Sequence, residues 1–217
     1  PKFSLILQKD FLILPTIIAC LIGYICGSFQ SSYILGKIFN RIDIREHGSS
    51  NAGASNATMV LGIKLGLLTF ILDVYKVVLA MSILHYIFPL NYNAFIYSGL
   101  AAVLGHNYPF YLDFKGGKGV ASFLGIFVGI NTLFGFTLGM SLFCFAIISN
   151  YIGLTGVFLY LIGPLFIFYL TNNFHLAIVT CVVSIIGIFK HGENIRNISE
   201  GKEDKVRDFI TEKIVNN

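Results

Sequence analysis

Residues 120–149 read VASFLGIFVGINTLFGFTLGMSLFCFAIIS, with no formal charge. As one α-helix this stretch would be about 45 Å long at 1.5 Å per residue. That exceeds a bilayer core of about 30 Å. Asn131 and Thr132 sit in its middle, so it is read as two spans, the first of them short. Working outward, Phe11–Ser28, Leu65–Phe88 and Ala94–Gly105 precede it as apolar runs. Tyr151–Leu170, which carries Pro164, and Leu176–Phe189 follow. Runs of this length are what a membrane helix needs. The fold class expected is all-α, a polytopic transmembrane bundle of seven spans, with 1–217 forming one domain.

Composition agrees. Of the 217 residues, 55% are hydrophobic and 12% charged, against about 25% charged in a soluble domain. That excludes aqueous disorder, a secreted disulfide scaffold and a nucleic-acid-binding domain. Cys20, Cys26, Cys144 and Cys181 form no CxxC pair and read as small buried hydrophobes. The first apolar run lacks a small-residue cleavage site, so it reads as a span and not a removable signal peptide.

The basic residues set the orientation. With the N-terminus outside, the inner loops are 29–64, 106–119, 150 and 190–217, and they hold 12 of the 15 Lys and Arg. The outer loops between spans hold none. This is the positive-inside pattern, and it places the C-terminus in the cytoplasm. Leaving 120–149 unsplit would put basic loops on both sides.

Three polar segments fall on that inner side, at 45–59, 105–121 and 190–202. A transporter more typically places polar groups near the bilayer midplane. Polar groups at span ends suit a site where a soluble substrate meets a lipidic one. In the first segment, GSSNAGASN (48–56) alternates small and polar residues. It can curve its backbone around an anion, or be an ordinary flexible loop. In the second, Lys115-Gly-Gly-Lys118-Gly precedes an apolar helix. Glycines free the main chain to wrap an oxyanion, and the lysines and a helix N-terminus supply positive charge. Two snorkelling lysines are the alternative, but that reading gives the glycines no role. His106, near Pro109, is expected to order this loop. In the third segment, His191 and Asn194 are three apart and share a face if helical; a capped, solvated helix end is the reading that spacing alone favours. Asp73 and Lys76, also three apart, are costly charges inside a span. His47, His85 and His175 have no metal-ligand spacing. The tail from Glu200 has an amphipathic pattern through Val206, Phe209, Ile210 and Ile214, suited to a solvated or surface-lying helix.

Together these segments resemble the bacterial acyl-phosphate:glycerol-3-phosphate acyltransferase family. The resemblance rests on Gly27-Ser28, GSSNAGASN (48–56), VLGIKLG (60–66), GHNYPFYLDFKGGKGVAS (105–122) and KHGENI (190–195), in order and with similar gaps. It implies a multi-pass enzyme of the bacterial inner membrane with a cytoplasmic site. It also implies acyl transfer from acyl phosphate to the 1-hydroxyl of glycerol 3-phosphate, giving lysophosphatidic acid and phosphate for phospholipid synthesis. No cofactor, metal, coenzyme A or acyl carrier protein is implied. Carried over residue by residue, the catalytic candidates are Ser49, Lys118, His191 and Asn194. The substrate-binding candidates are Asn51, Gly53, Ser55, His106, Lys115, Gly116, Gly117 and Gly119. The expected partners are acyl phosphate, glycerol 3-phosphate, membrane lipid and an enzyme that makes acyl phosphate. The chain itself is expected to be a monomer.

One departure stands out. The family commonly carries an arginine after the first motif; here GASNATM places Met59 there. Met cannot reproduce a bidentate phosphate clamp, and Lys64 or Arg45 are possible substitutes. A diverged paralogue with another acceptor, or a small-anion transporter, are the competing readings. No HxxxxD motif is present, so the proton of the attacking hydroxyl goes either to a substrate phosphate oxygen or to His191 as a general base.

Overall fold

The computed structural model describes residues 2–208 and 211, with side chains from residue 13 onward. Among them there are α-helices and short helical turns but no strand. Phe209, Ile210 and Ile214 of the expected tail helix lie outside the described residues; Val206 begins a helical segment. The chain forms two compact units, the first ending at Ile130 and the second beginning at Asn131.

Each apolar run forms a helix. In the first unit these are α1 (Lys2–Ser28), α4 (Ile63–Ile87), α5 (Tyr92–Asn107) and α6 (Val120–Ile130). The short α2 (Ser31–Leu35) and α3 (Ala54–Leu61) lie between α1 and α4. Helix α1 packs along α5. The pair approaches closely because glycines face backbone: a Cβ on Gly23 would strike the Ser98 carbonyl, and one on Gly27 the Ala102 carbonyl. Small residues are what let membrane helices come this near. Helix α4 packs on α6 in the same way, with Gly125 against Val74 of α4.

The second unit holds α7 (Thr132–Ser149), α8 (Ile152–Thr171), α9 (Phe174–Lys190) and α10 (Gly192–Ser199). The break inside 120–149 has a local cause. Asn131 leaves the helical region at φ −152°, and its side chain accepts from the Phe134 N–H at 2.9 Å. That is an N-cap, which satisfies one of the unpaired donors at a helix start. Asn91 and Asn173 cap α5 and α9 alike, accepting from Ala94 and Leu176. Helix α8 lies along α9, where Gly187 sits against the ring of Tyr160.

Four helical stretches among the described residues are long and apolar enough to cross a bilayer: Ile13–Asn40, Ile63–Ile87, Thr132–Ser149 and Ile152–Thr171. Phe174–Lys190 with Gly192–Ser199, bent by 45°, makes a fifth if the pair is one span. Helix α6 has 11 residues, about 16 Å, half of a bilayer core. The cysteines correct one expectation. Cys20, Cys144 and Cys181 are exposed and Cys26 half-buried, all as free thiols. In a bilayer the outward face is also apolar, so a small hydrophobe need not be interior.

Candidate active site

The first motif is a loop organised around one residue. Asn56, in the first turn of α3, is fully buried. Its Nδ2 donates toward the carbonyls of Ile44, His47 and Asn51, each at 3.0 Å. Its Oδ1 accepts from the Ser49 N–H at 2.9 Å. Gly48 has φ +59°, and a Cβ there would strike Asn56 Oδ1. Sequence reasoning counted Asn56 only as one of several polar groups. Ser49 is exposed, Asn51 and Ser55 are half-buried, and Gly53 is buried at the start of α3. Met59, at the position of the missing arginine, is 41% exposed on α3.

Arg45 joins this loop to the second motif. Its Nη1 donates to the Leu112 carbonyl at 3.0 Å. Its Nε and Nη2 donate to the two oxygens of Asp43, at 3.0 and 2.8 Å. These bonds hold the Asp43 carboxyl below the usual carboxylate range and raise the guanidinium. Arg45 is thus engaged in fixing the loop. Lys64, the other stand-in for the family's arginine, is exposed near the start of α4.

The second motif leaves α5 at Asn107 and folds back on itself. Gly117 N–H donates to the His106 carbonyl at 3.1 Å, and Gly116 N–H to the Asn107 carbonyl at 3.3 Å. Gly116 and Gly117 therefore use their amides inside the loop. What they supply is close approach: a Cβ on Gly116 would strike the His106 carbonyl, and one on Gly117 the imidazole of His106. Gly119 has φ +79° and turns the chain into α6. Gly117→Ala is accordingly expected to destabilise the protein by about 1–3 kcal/mol through overpacking, read as a lowered unfolding temperature in detergent. Unchanged unfolding would show that the ring yields freely.

Positive charge remains with the lysines. Lys115 is exposed and Lys118 half-buried. A cavity of about 350 Å³ opens between the two motifs, lined by Asp43, Arg45, Glu46, Ser50, Asp113 and Lys115. Of the candidates from sequence, Lys115 lines it. His106 instead lies beneath the loop, 2% exposed, in a buried cluster with Lys76 and Asp73. Lys76 Nζ is 2.8 Å from His106 Nδ1 and 2.8 Å from Asp73 Oδ1. The sequence marked the two charges but not their histidine.

In the second unit, His191 stands at the junction of α9 and α10, 2% exposed. Its Nδ1 is 2.8 Å from the Gly187 carbonyl. A carbonyl can only accept, so Nδ1 carries a hydrogen. Asn194, one turn on, donates to Glu203 Oε1 at 2.6 Å. The following segment is tied back by Val206 and Arg207, whose N–H groups donate to the backbone and side-chain oxygens of Asn150.

Fold and site together define an all-helical integral membrane protein with glycine- and lysine-bearing loops at helix ends. A family profile described as glycerol-3-phosphate acyltransferase matches residues 17–201. The chain is 36% identical over 190 residues to the glycerol-3-phosphate acyltransferase of Macrococcus caseolyticus, covering 86% of this chain and 95% of that one. Its identity to the Fusobacterium nucleatum protein of the same name is 33% over 184 residues, 85% and 94% of the two chains. The crystal structure of PlsY, an integral membrane glycerol 3-phosphate acyltransferase, in its glycerol 3-phosphate form superimposes with TM-score 0.76 at 30% identity, over 88% of this chain and 94% of that one. The lysophosphatidic acid form gives 0.74. The chain belongs to the glycerol-3-phosphate acyltransferase family. Membership supports the membrane acyltransferase reading over that of a small-anion transporter.

Proposed function

We propose that the chain transfers a fatty acyl group from acyl phosphate to the 1-hydroxyl of glycerol 3-phosphate, releasing lysophosphatidic acid and inorganic phosphate. The observation that carries this is the family match across residues 17–201, which spans all three motifs. The related PlsY structures in glycerol 3-phosphate and lysophosphatidic acid forms support the same acceptor and product here. The donor is the one that the resemblance of the three motifs to the acyl-phosphate-dependent family implies. Acyl phosphate is a mixed anhydride with a good leaving group, so an enzyme needs to place a hydroxyl beside its carbonyl and neutralise phosphate charge.

In this reading the acceptor hydroxyl oxygen attacks the acyl carbon, the bond from that carbon to the phosphate oxygen breaks, and phosphate leaves. The hydroxyl proton passes to a phosphate oxygen of the substrate. Positioning of this kind lowers a barrier by roughly 7–11 kcal/mol. Lys115 and Lys118 hold phosphate; Ser49, Asn51 and Ser55 hydrogen-bond substrate, with Gly53 and Gly119 shaping the loops. His191 and Asn194 bind the phosphorylated substrate. The chain works as one domain of seven spans in the bacterial inner membrane, its site cytoplasmic. It acts as a monomer supplied by an acyl-phosphate-producing enzyme.

The test is purified protein in lipid vesicles with acyl phosphate and glycerol 3-phosphate. Lysophosphatidic acid and inorganic phosphate are expected in equal amounts. Product formation only with another acceptor would overturn the glycerol 3-phosphate assignment, and phosphate flux without acyl transfer would restore the transporter.

A further inference from the structure

We propose that Lys76 is a positioning residue for the acyl transfer and acts through His106. Its buried ammonium donates to His106 Nδ1, fixes the neutral Nε2–H form of the ring, and so sets the surface on which the Lys115–Gly119 loop rests. This rests on the function proposed above.

The geometry makes the case. The side chains of Lys76, Asp73 and His106 are 5%, 2% and 3% exposed. An ammonium has three hydrogens, and three acceptors surround this one: the Phe29 carbonyl at 2.7 Å, Asp73 Oδ1 at 2.8 Å and His106 Nδ1 at 2.8 Å. Asp73 Oδ1 also accepts from Ser31 Oγ at 2.9 Å. The reverse polarity, with Nδ1–H donating to a neutral amine, would leave the Asp73 carboxylate either unpaired in the interior or paired only to an imidazolium 3.6 Å away in place of an ammonium at 2.8 Å, the weaker contact. So the lone pair on Nδ1 is engaged, and the ring hydrogen lies on Nε2.

That edge of the ring meets both motifs. A Cβ built on Gly117 would overlap Nε2 and lie 2.8 Å from the Ala52 carbonyl, so Gly117 fills the gap between the imidazole and the first motif. The His106 carbonyl accepts from Gly117 N–H at 3.1 Å and from Gln30 Nε2 at 2.7 Å. A turn of the ring would move the loop that carries both lysines. His106, set down above as a substrate-binding candidate, is reassigned as the ring through which Lys76 acts.

The experiment uses the full chain, labelled with ¹⁵N-histidine, in lipid bilayers. The His106 resonances are assigned by their loss in His106→Asn, and the protonated nitrogen is read by solid-state NMR at neutral pH. Protonation at Nε2 with a bare Nδ1 is expected in the wild type. Lys76→Met leaves the Asp73 charge alone in the interior and can fail to fold, so Asp73→Asn with Lys76→Met is measured in parallel. That pair is expected to keep its unfolding temperature within a few degrees, mix the two tautomers and lower kcat/KM roughly 10- to 100-fold, the range of a lost hydrogen bond to a charged group. Nδ1 protonation in the wild type would overturn the proposal on its own. So would wild-type turnover by the paired variant. The tautomer is read without substrate, so a wild type that forms no lysophosphatidic acid would count against the proposed function and leave the Lys76–His106 bond to be judged separately.

Discussion

Lys118→Ala is expected to lower acyl transfer from acyl phosphate by roughly 10²–10³-fold, the loss typical when one fixed donor to developing negative charge is removed. Lys118 lies between two glycines at the entrance to α6. The backbone around it is defined by the left-handed turn at Gly119 and by the Gly119 carbonyl, which accepts from the Phe123 N–H at 2.7 Å. An ammonium held at such a place meets a phosphate without first losing much freedom. Lys115 is exposed, so water screens its charge, and the matching change there is expected to cost less. The protein should still insert and unfold as the wild type does. The check is a paired measurement of turnover and unfolding temperature. Normal turnover by Lys118→Ala would remove the phosphate-holding role from this loop.

Asn56→Ala is expected to be the most damaging change in the first motif. It strips the hydrogen-bond partners from the carbonyls of Ile44, His47 and Asn51 and from the Ser49 N–H. Two amide hydrogens shared among the carbonyls and one accepting oxygen make about three bonds, and at about 0.5–1.5 kcal/mol for each the loss comes to roughly 1.5–4.5 kcal/mol. Asn56→Asp is expected to be no better, although it keeps the shape, since it turns a donor facing three carbonyls into a fourth oxygen. Thermal unfolding of both variants separates this account from one based on volume alone. If Asn56→Asp unfolds with the wild type, the hydrogen bonds do not hold the loop.

The helices were readable from sequence because a bilayer demands length and apolarity, and both are written locally. The break at Asn131 was readable too, since the run is too long for one span and Asn131 with Thr132 interrupts its middle. The positions of the three motifs were likewise visible as interruptions. What each residue does inside them was less so. The glycines of Lys115–Gly119 suggested amides turned toward an anion, yet Gly116 and Gly117 give theirs to the Asn107 and His106 carbonyls. Asn56 looked like any other polar residue in its loop, because its four partners are fixed only when the loop closes. The Asp73–Lys76 pair announced itself by spacing, whereas Ser31 and His106 join it from 42 and 30 residues away. Contacts of that range leave no periodic trace. The cysteines misled for a related reason, since a lipid-facing surface reverses the usual link between apolarity and burial.

The cluster at Lys76 also bears on how the chain enters its membrane. A lone lysine or aspartate at the centre of a helix costs about 2.5–3.5 kcal/mol to insert, but Asp73 and Lys76 lie on one turn and can pair as soon as that turn is helical. Phe29 and Ser31 have been made by then, so they are ready to receive α4 as it arrives. His106 is translated 30 residues after Lys76. Until it appears, the third ammonium hydrogen lacks its acceptor in the folded chain, and the packing of α5 completes the set.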